Sequence, residues 1–524
     1  MNVKLYDTTL RDGTQMEGVS LSVNDKLRIA QKLDELGVHY IEGGWPLSNP
    51  KDVEFFTKAA KMKFKNAKIV AFGSTCRAHI KARDDKNIKA ILKSKAKICT
   101  IFGKTWDIHV KEVLRITLDE NLKLIENTIS YLRKKGLEVF YDAEHFFDGY
   151  RANPSYAIKT LESAKSAGAS CVILCDTNGG TVTSRLQDII RQVKSRVDIP
   201  LGIHVHNDCE LAVANSIAAV EAGCVQVQGT INGYGERCGN ANLISIIPVL
   251  QLKMGLNCVS NAKLRELTEI SHFVAEVINM KPREHQPFVG SSAFAHKGGV
   301  HIDAVIKNPK TYEHIEPEIV GNKRRVLISE LAGRTGVSVK SQEMAMGFTK
   351  DTAQARRILK LLQEQEHKGF YYEAAEGSFE LLMKRAMRKF KKFFELEGFK
   401  VIIEKKGNAQ PISEASIKIK VRGVSEHTSA EGDGPVNALD NALRKALEGF
   451  YPSLKEMHLS DFKVRIIDEK AGTAAKVRIL IQCHDKKDSW WTLGVSENII
   501  DAAWQALVDS VEYKLLKDLD KKVK

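Results

Sequence analysis

The stretch "SCVILCDTNGGTVTSRLQDIIRQVKSRVDIPLGIHVHND" (170–208) contains two short apolar segments on either side of a longer polar segment with helical periodicity. The apolar segments, 170–177 and 200–206, have the length and the β-branched residues of buried strands. A connection of this length suits a crossover helix between two parallel strands. The stretch therefore predicts a strand, a helix and a second strand in one parallel sheet.

The same alternation of strand and helix continues from the N-terminus to about residue 260. The remaining six strand candidates are 3–8, 38–44, 68–73, 97–103, 137–144 and 225–231. Several helical segments end in glycine just before the next strand, as in "LDELGV" and "VEAGCV", which is a common stop signal for helices. Eight strands in about 260 residues predict a (β/α)8 barrel. A doubly wound open sheet is the alternative, but no GxGxxG follows the first strand.

Beyond the barrel the strand pattern stops, and residues 285–390 are helical with turn-rich pieces. After 390 a β-rich region contains a weak repeat at an offset of 60 residues, "GPVNALDNALRKAL" (434–447) against "GVSENIIDAAWQAL" (494–507). Each copy follows an alternating strand pattern. We expect a barrel domain at 1–270, a helical linker region at 271–390 and a C-terminal α+β domain at 391–524. The repeat, which lacks clustered catalytic side chains, favours binding or dimerisation.

The composition is that of a soluble globular protein of 524 residues, with no apolar segment long enough to cross a membrane. No charged and then apolar leader precedes the first strand, so we expect a cytoplasmic protein without a membrane partner. The nine cysteines form no CxxC pair and fit reduced thiols. The net charge of +14 is spread over amphipathic helical segments. An anionic small molecule is therefore a better candidate partner than nucleic acid.

Two histidines close together mark the end of the seventh predicted strand. Side chains alternate between the two faces of a strand, so His204 and His206 point to the same face, about 7 Å apart. Two imidazoles on one face can share a divalent metal, provided that another part of the chain supplies further ligands. The alternative is a hydrogen-bonded pair of core histidines, and the HxH pattern alone leaves both interpretations open.

Polar residues also follow the other predicted strands, at the ends where the active sites of such barrels lie. The candidates at this rim are Arg11, Asp12, Glu144, Asp176, Thr177, His204, His206, Glu236, Arg237 and Asn240. Each residue alone is compatible with a surface ion pair or an ordinary loop. Their common position after strands one, five, six, seven and eight indicates an active site.

Several motifs together resemble one enzyme family. They are "DTTLRDGTQ" (7–15), "HVHND" (204–208), "NGYGERCGNANL" (232–243), "SSAFAHKGGVHIDAVIKNPKTYEHIEPEIVGNKRR" (291–325), "EGDGPVNAL" (431–439) and "GTAAKVRILI" (472–481). The chain resembles the group of metal-dependent condensing enzymes that contains the isopropylmalate, homocitrate and citramalate synthases. The resemblance covers nearly the whole chain.

The resemblance implies roles for the rim residues. Asp12, His204 and His206 would bind a divalent metal, with Asn240 as a fourth ligand. This mixed N/O donor set is compatible with magnesium, manganese or zinc. The metal would chelate a 2-oxo acid, and Arg11 would stabilise the charge that develops on its ketone oxygen.

The resemblance also implies the reaction and a shared active site. An acyltransferase of this family removes a methyl proton from acetyl-CoA, adds the enolate to the ketone and hydrolyses the thioester, so that the acyl group becomes alkyl. Thr177 would hold the substrate carboxylate. Glu144, His301 and Tyr312 would form the general acid and base set. In related enzymes the segment with the last two reaches the barrel of the partner subunit, which implies a homodimer.

The pattern is most similar to the citramalate synthase branch, which uses pyruvate, with the isopropylmalate branch and 2-oxoisovalerate as the alternative. Thr14 and Trp45 differ from many relatives near the barrel mouth and bear on the substrate pocket. The C-terminal repeat resembles the family's regulatory domain, for which isoleucine would be the effector in a citramalate synthase.

Two other classes of function remain open from the sequence. A barrel aldolase or lyase of the same superfamily shares the strand-one and HxH motifs, but it does not need the C-terminal repeat. A non-catalytic effector-binding protein leaves the polar rim unexplained.

Overall fold

The computed structural model describes residues 3–467, 472 and 474–523; Thr473 of the "GTAAKVRILI" motif lies outside them. Within these residues the chain forms two compact units. The first comprises the described residues of Met1–Phe294 and Ile315–Lys323, and the second those of Ala295–His314 and Arg324–Lys524. None of the described helices is both long and apolar enough to span a membrane.

The first unit is built on a closed barrel of eight parallel strands in sequential order. The strands are β1 (Lys4–Asp7), β2 (Tyr40–Gly44), β3 (Lys68–Ser74), β4 (Ile98–Lys104), β5 (Glu138–Glu144), β6 (Cys171–Asp176), β7 (Leu201–Val205) and β8 (Gln226–Gly229). Every bound lies within two residues of the strand predicted from the sequence. The predicted (β/α)8 barrel is therefore confirmed.

The helices of this unit surround the barrel. They are α1 (Val23–Leu36), α2 (Pro50–Ala59), α3 (Lys86–Lys93), α4 (Leu118–Lys134), α5 (Phe146–Ala152), α6 (Pro154–Ser166), α7 (Thr183–Arg196), α8 (Ala212–Glu221), α9 (Leu243–Pro248), α10 (Asn261–Leu264) and α11 (Leu267–Val277). Helix α1 shows how local sequence sets the bounds. A reciprocal capping box of Ser22 and Asp25 starts it, and Gly37, with φ 95°, ends it in the left-handed region that favours glycine.

The interior of the barrel is filled by side chains rather than open from end to end. Tyr6, Phe140 and Ile173 are among the residues of an apolar cluster inside the barrel. The rings of Tyr6 and Phe140 meet edge to face at 6.3 Å. Because this cluster fills part of the interior, the polar rim residues form a pocket rather than the mouth of a channel.

The second unit begins with helices and two short strands. These elements are β9 (Ala295–His296), α12 (Gly299–Lys307), β10 (Arg325–Val326), α13 (Gly333–Glu343), α14 (Ala353–His367) and α15 (Glu376–Ala386). Strands β9 and β10 pair in parallel.

The C-terminal part of the second unit contains two antiparallel sheets of three strands, each followed by a helix. The first set is β11 (Glu395–Glu404), β12 (Ile412–Val421), β13 (Val424–Gly432) and α16 (Pro435–Leu447). The second set is β14 (His458–Ile466), β15 (Val477–His484), β16 (Ser489–Ser496) and α17 (Ile499–Val523). The predicted α+β domain with an internal repeat is confirmed.

The offset of the repeat differs from the predicted 60 residues. Thr428 Oγ1 donates to Ala442 O at 2.8 Å, and the same bond recurs 64 residues later between Thr492 and Ala506. Gly494, which the offset of 60 aligns with a helix start, lies inside β16. The predicted register is wrong by four residues. A shift of four residues is about one helical turn. The apolar residues of the two helices therefore align on one face at an offset of either 60 or 64, and the apolar pattern alone does not distinguish the two offsets.

Candidate active site and metal centre

A cavity of about 220 Å³ lies at the carboxyl ends of the barrel strands. Its walls are Arg11, Asp12, Gln15, Trp45, Phe72, Phe102, Asp142, Glu144, Cys175, Thr177, His204, His206, Glu236 and Arg237. Strands that are far apart in the chain contribute these side chains, because all eight strands are parallel and end on the same side. The structure thus brings most of the predicted rim residues together around one space.

Asp12, His204 and His206 form a compact group of possible metal ligands. Each offers one ligand atom within 4.8 Å of the others. The two Nε2 atoms of the histidines are 3.3 Å apart, and Asp12 Oδ2 lies 3.4 Å from that of His204 and 3.9 Å from that of His206. One carboxylate and two imidazoles, all buried, are a suitable donor set for a divalent metal.

Unsatisfied polar atoms in this group support a metal. Asp12 Oδ1 and both side-chain amide atoms of Asn240 are buried without a hydrogen-bond partner among the described residues. A β-bridge holds Asn240 beside His206. Leaving buried polar atoms unpaired costs about 1–3 kcal/mol each. A cation between these residues would offset that cost for the two oxygen atoms, Asp12 Oδ1 and Asn240 Oδ1, so the residues present fit a metal site.

The "GYGERCGN" loop places Asn240 at this site, and two of its glycines leave space for this arrangement. A Cβ on Gly239 would lie 2.1 Å from Gly233 O, and Gly239 has φ 94°. A Cβ on Gly235 would lie 2.2 Å from Asn240 Nδ2. The loop can therefore fold tightly only with glycine at 239, and a side chain at 235 would displace the Asn240 amide from the ligand group.

Gln228 and Asp142 orient His204 from behind. His204 Nδ1 lies 3.0 Å from Gln228 Oε1, and Gln228 Nε2 donates to Asp142 Oδ1 at 3.1 Å. Because the amide oxygen can only accept, Nδ1 of His204 carries the proton and Nε2 keeps its lone pair for a metal. Neither Gln228 nor Asp142 was predicted from the sequence. For Gln228, the alternation of the polar residues Gln226 and Gln228 within the apolar strand β8 could have indicated a role inside the barrel.

The protonation states of the ligand residues suit a metal. Burial lowers the pKa of His204 to about 3, and the neighbouring His206 adds to this effect. Burial likewise lowers the pKa of His206. For Asp12, burial acts to raise the pKa, but Arg11 and the two histidines outweigh it and the pKa is lowered. At neutral pH the site therefore offers a carboxylate and two neutral imidazoles, as metal binding requires.

Arg11 is held rigidly beside these ligands. Its Nε donates to Glu42 Oε2 at 2.7 Å, and its Nη1 lies 3.2 Å from Asp12 Oδ2. The guanidinium also lies over the Phe72 ring, 3.9 Å from the ring centroid. Glu42 is fixed in turn by the Tyr6 hydroxyl at 2.9 Å. Glu42 was not predicted from the sequence. Its charge within the otherwise uncharged, buried strand β2 could have indicated it.

Glu144 and Thr177 line the same cavity. Glu144 forms an ion pair with Lys104 at the end of β4, a residue that was not predicted from the sequence. Thr177 Oγ1 accepts a hydrogen bond from His145 N at 2.9 Å. Arg237 Nη2 donates to Thr177 O at 2.6 Å. Both candidates are thus anchored at the rim, with the Glu144 carboxylate oriented by a cation.

His301 and Tyr312 lie in the second unit. Their rings stack with centroids 4.2 Å apart, and Tyr312 is 47% exposed. They are not among the residues that line the barrel cavity. Their role in acid and base chemistry stays a prediction.

An aromatic wall bounds one side of the cavity. Trp45 packs edge to face on Phe72 and Phe102, with centroids 5.9 and 5.6 Å apart. Its Nε1 donates to Asn87 Oδ1 at 2.6 Å, which fixes the indole. Trp45 therefore lines the cavity, and its size limits the room there.

The chain is similar to known proteins over most of its length. Three family models match the chain in succession: HMGL-like at 2–274, Homocitrate synthase post-HMGL domain-like at 288–368, and LeuA allosteric (dimerisation) domain at 373–515. The (R)-citramalate synthases of Geobacter sulfurreducens and Aquifex aeolicus are 58% and 55% identical to the chain, each over 98% of both sequences. The 2-isopropylmalate synthase of Methanocaldococcus jannaschii is 32% identical, over 98% of this chain and 95% of its own.

The family resemblance predicted from the sequence motifs is thereby confirmed along nearly the whole chain. The chain belongs to the (R)-citramalate synthase family of HMGL-like barrel enzymes.

Proposed function

We propose that the protein condenses acetyl-CoA with pyruvate and water to give (R)-citramalate and CoA. Five relatives that are 44–58% identical to the chain bear the name (R)-citramalate synthase, whereas the isopropylmalate synthase is more distant. The observation that carries the proposal is the buried group of Asp12, His204 and His206 with the Arg11 guanidinium beside it. This arrangement suits a chelated 2-oxo acid whose ketone oxygen gains negative charge.

The chain's own residues divide the work of binding and charge stabilisation. A divalent metal such as magnesium, manganese or zinc, held by Asp12, His204, His206 and Asn240, would supply Lewis acidity and orientation. Arg11 donates hydrogen bonds to the developing alkoxide. Glu42 and Phe72 hold its guanidinium in position for this contact. This preorganisation avoids reorientation when the charge forms.

Binding of the carboxylate and transfer of the proton involve residues at the ends of β5 and β6. The Thr177 hydroxyl donates to the pyruvate carboxylate while accepting from the backbone of His145. Glu144, oriented by Lys104, takes the methyl proton of acetyl-CoA. We assign His301 and Tyr312 to the same acid and base set. In this proposal they reach over the barrel of the partner subunit in a homodimer, as the family resemblance implies.

Pyruvate is expected to be the preferred acceptor. Trp45, Phe72 and Phe102 form a bulky wall of the cavity, which we expect to oppose a branched side chain. Each methylene-sized group is worth about 1–3 kcal/mol in such a pocket. We expect kcat/KM for pyruvate to exceed that for 2-oxoisovalerate at least about tenfold. Release of free thiol from acetyl-CoA with each acid measures it. A preference for 2-oxoisovalerate would instead assign the protein to isopropylmalate synthesis.

Regulation is assigned to the C-terminal domain, because residues 373–515 match the LeuA allosteric (dimerisation) domain. We propose isoleucine as the inhibitor, since it is the end product that a citramalate synthase implies. A truncation is a poor test. Phe379 and Met383 of α15 share a core with Leu493 and Val495 of β16, so removal of the residues after 390 would expose apolar surface.

The full chain provides a cleaner test of regulation. Isoleucine is expected to inhibit thiol release, and leucine at equal concentration is expected to inhibit it less. Hydrogen exchange should show protection by isoleucine within residues 373–515. Protection confined to the barrel would place the effector at the active site and contradict this assignment.

A further inference from the structure

The segment that carries His301 and Tyr312 is closed at its two ends by a side-chain contact. The chain leaves β9 at His296 and returns at Glu313, and His296 Nε2 lies 3.1 Å from Glu313 Oε1. Because a carboxylate oxygen only accepts, Nε2 of His296 carries the proton. The contact therefore joins the two ends of the segment 297–312, which includes α12.

Arg324, which directly precedes β10, strengthens this closing contact. Its Nε donates to Glu313 Oε1 at 2.7 Å, and its Nη2 donates to Oε2 at 2.5 Å. Strand β10 pairs with β9, so three pieces of the chain meet at one carboxylate. Two parallel bonds from a planar guanidinium fix both the position and the orientation of that carboxylate. We call the group of His296, Glu313 and Arg324 the anchor.

The carboxylate at the centre of the anchor is buried and charged. Only 2% of the Glu313 side chain is exposed. Burial acts to raise the pKa of Glu313, but Arg324 and His296 outweigh it and the pKa is lowered. A buried charge that loses a partner is strongly destabilised, so the three side chains hold together as one unit.

His301 and Tyr312 depend on the backbone that carries them. Both residues are exposed, and their rings stack on each other. Exposed side chains retain much of their rotamer freedom unless their surroundings fix them. Tyr312 directly precedes Glu313, and His301 lies in the first turn of α12. The anchor therefore holds the backbone at Tyr312 directly and closes the segment on which His301 lies.

We propose that Glu313, held by His296 and Arg324, is a positioning residue that preorganises His301 and Tyr312 for proton transfer. The assignment rests on the proposed function, in which these two residues belong to the acid and base set. Misplacement of a reacting group by about 1 Å can lower a rate about a hundredfold. A rigid anchor outside the barrel thus contributes to turnover without touching the substrate.

Glu313→Gln tests the anchor, because it keeps the size of the side chain and removes its charge. We expect kcat with pyruvate and acetyl-CoA to fall about tenfold to a hundredfold. The KM for pyruvate and the metal affinity should stay at their wild-type values, because the anchor lies in the second unit. Thiol release and equilibrium dialysis measure these quantities. The control is Glu343→Gln, which removes an exposed carboxylate paired with Lys340 in the same unit and should leave kcat unchanged.

A second background distinguishes positioning from a general loss of structure. In an enzyme that already carries His301→Ala and Tyr312→Phe, Glu313→Gln is expected to cause no further fall in the residual turnover. An equal fall in both backgrounds would mean that Glu313 supports the fold as a whole, and would overturn the proposal. A folded Glu313→Gln enzyme with wild-type kcat would overturn it as well.

Arg324→Lys provides the same test if Glu313→Gln does not fold. It keeps a cation beside the carboxylate but loses the bidentate fork, and the Arg324 side chain is 29% exposed. We expect kcat to fall about tenfold in the otherwise wild-type enzyme and not at all in the second background. An unchanged kcat in the otherwise wild-type enzyme would overturn the proposal.

Failure of the proposed function has a different result. A wild-type enzyme that releases no thiol from acetyl-CoA with pyruvate would overturn the condensation itself. Wild-type kcat in the enzyme with His301→Ala and Tyr312→Phe would overturn their assignment to the acid and base set, whatever the effect of Glu313→Gln.

Discussion

Replacing His206 by alanine is expected to lower kcat about a thousandfold or more and to weaken divalent metal binding severely. The substitution removes one of the three side chains whose ligand atoms lie within 4.8 Å of one another. Asp12, His204 and Asn240 would remain, but with one of the two imidazoles gone this weaker donor set would no longer hold the metal in a fixed geometry. Turnover with pyruvate and acetyl-CoA, together with equilibrium dialysis of the metal, measures both effects.

The barrel of this variant should remain folded, because His206 lies just after β7 and outside the apolar core. Circular dichroism and the melting temperature check this point. The matched control is His272→Ala, on the exposed surface of α11, which should keep the wild-type activity and metal affinity. A His206→Ala enzyme that binds metal and turns over like wild type would disprove the metal centre.

Replacing Arg11 by lysine is expected to reduce kcat about a hundredfold to a thousandfold while leaving metal affinity nearly unchanged. Lysine keeps the charge but lacks the planar fork that donates to Glu42 and presents further N–H groups to the substrate. The ammonium would also lose the stacking on Phe72. Steady-state kinetics with pyruvate, with metal binding measured in parallel, distinguish loss of charge stabilisation from loss of the metal.

Arg28→Lys is the control for this substitution. Arg28 lies on α1 with 59% of its side chain exposed, so its replacement should leave kcat unchanged. If Arg11→Lys lowered metal affinity and kcat in parallel, Arg11 would act by holding Asp12 rather than by stabilising the alkoxide.

Much of the barrel and its rim could be predicted from the sequence alone. The predicted bounds of the eight strands lie within two residues of the observed bounds. Apolar segments and glycine stop signals, such as Gly37 after α1, can be recognised from neighbouring residues in the chain. Once a closed parallel barrel is assumed, the ends of all strands meet on one side. Residues as distant as Asp12 and His204 could therefore be assigned to one site.

The sequence by itself thus determined the order of the elements, the residues of the rim and the family. Only the tertiary structure decided which of these groups touch. The chain from His204 through Gln228 to Asp142, the clamp of Glu42 on Arg11 and the aromatic wall at Trp45 depend on strand register and on closure of the barrel. The spacing of apolar and polar residues indicates which face of a strand or helix a residue occupies. It does not indicate which residue it contacts across the barrel. The physical reason is that contacts between distant segments arise from packing of the whole fold. The residues next to each partner in the chain do not determine these contacts.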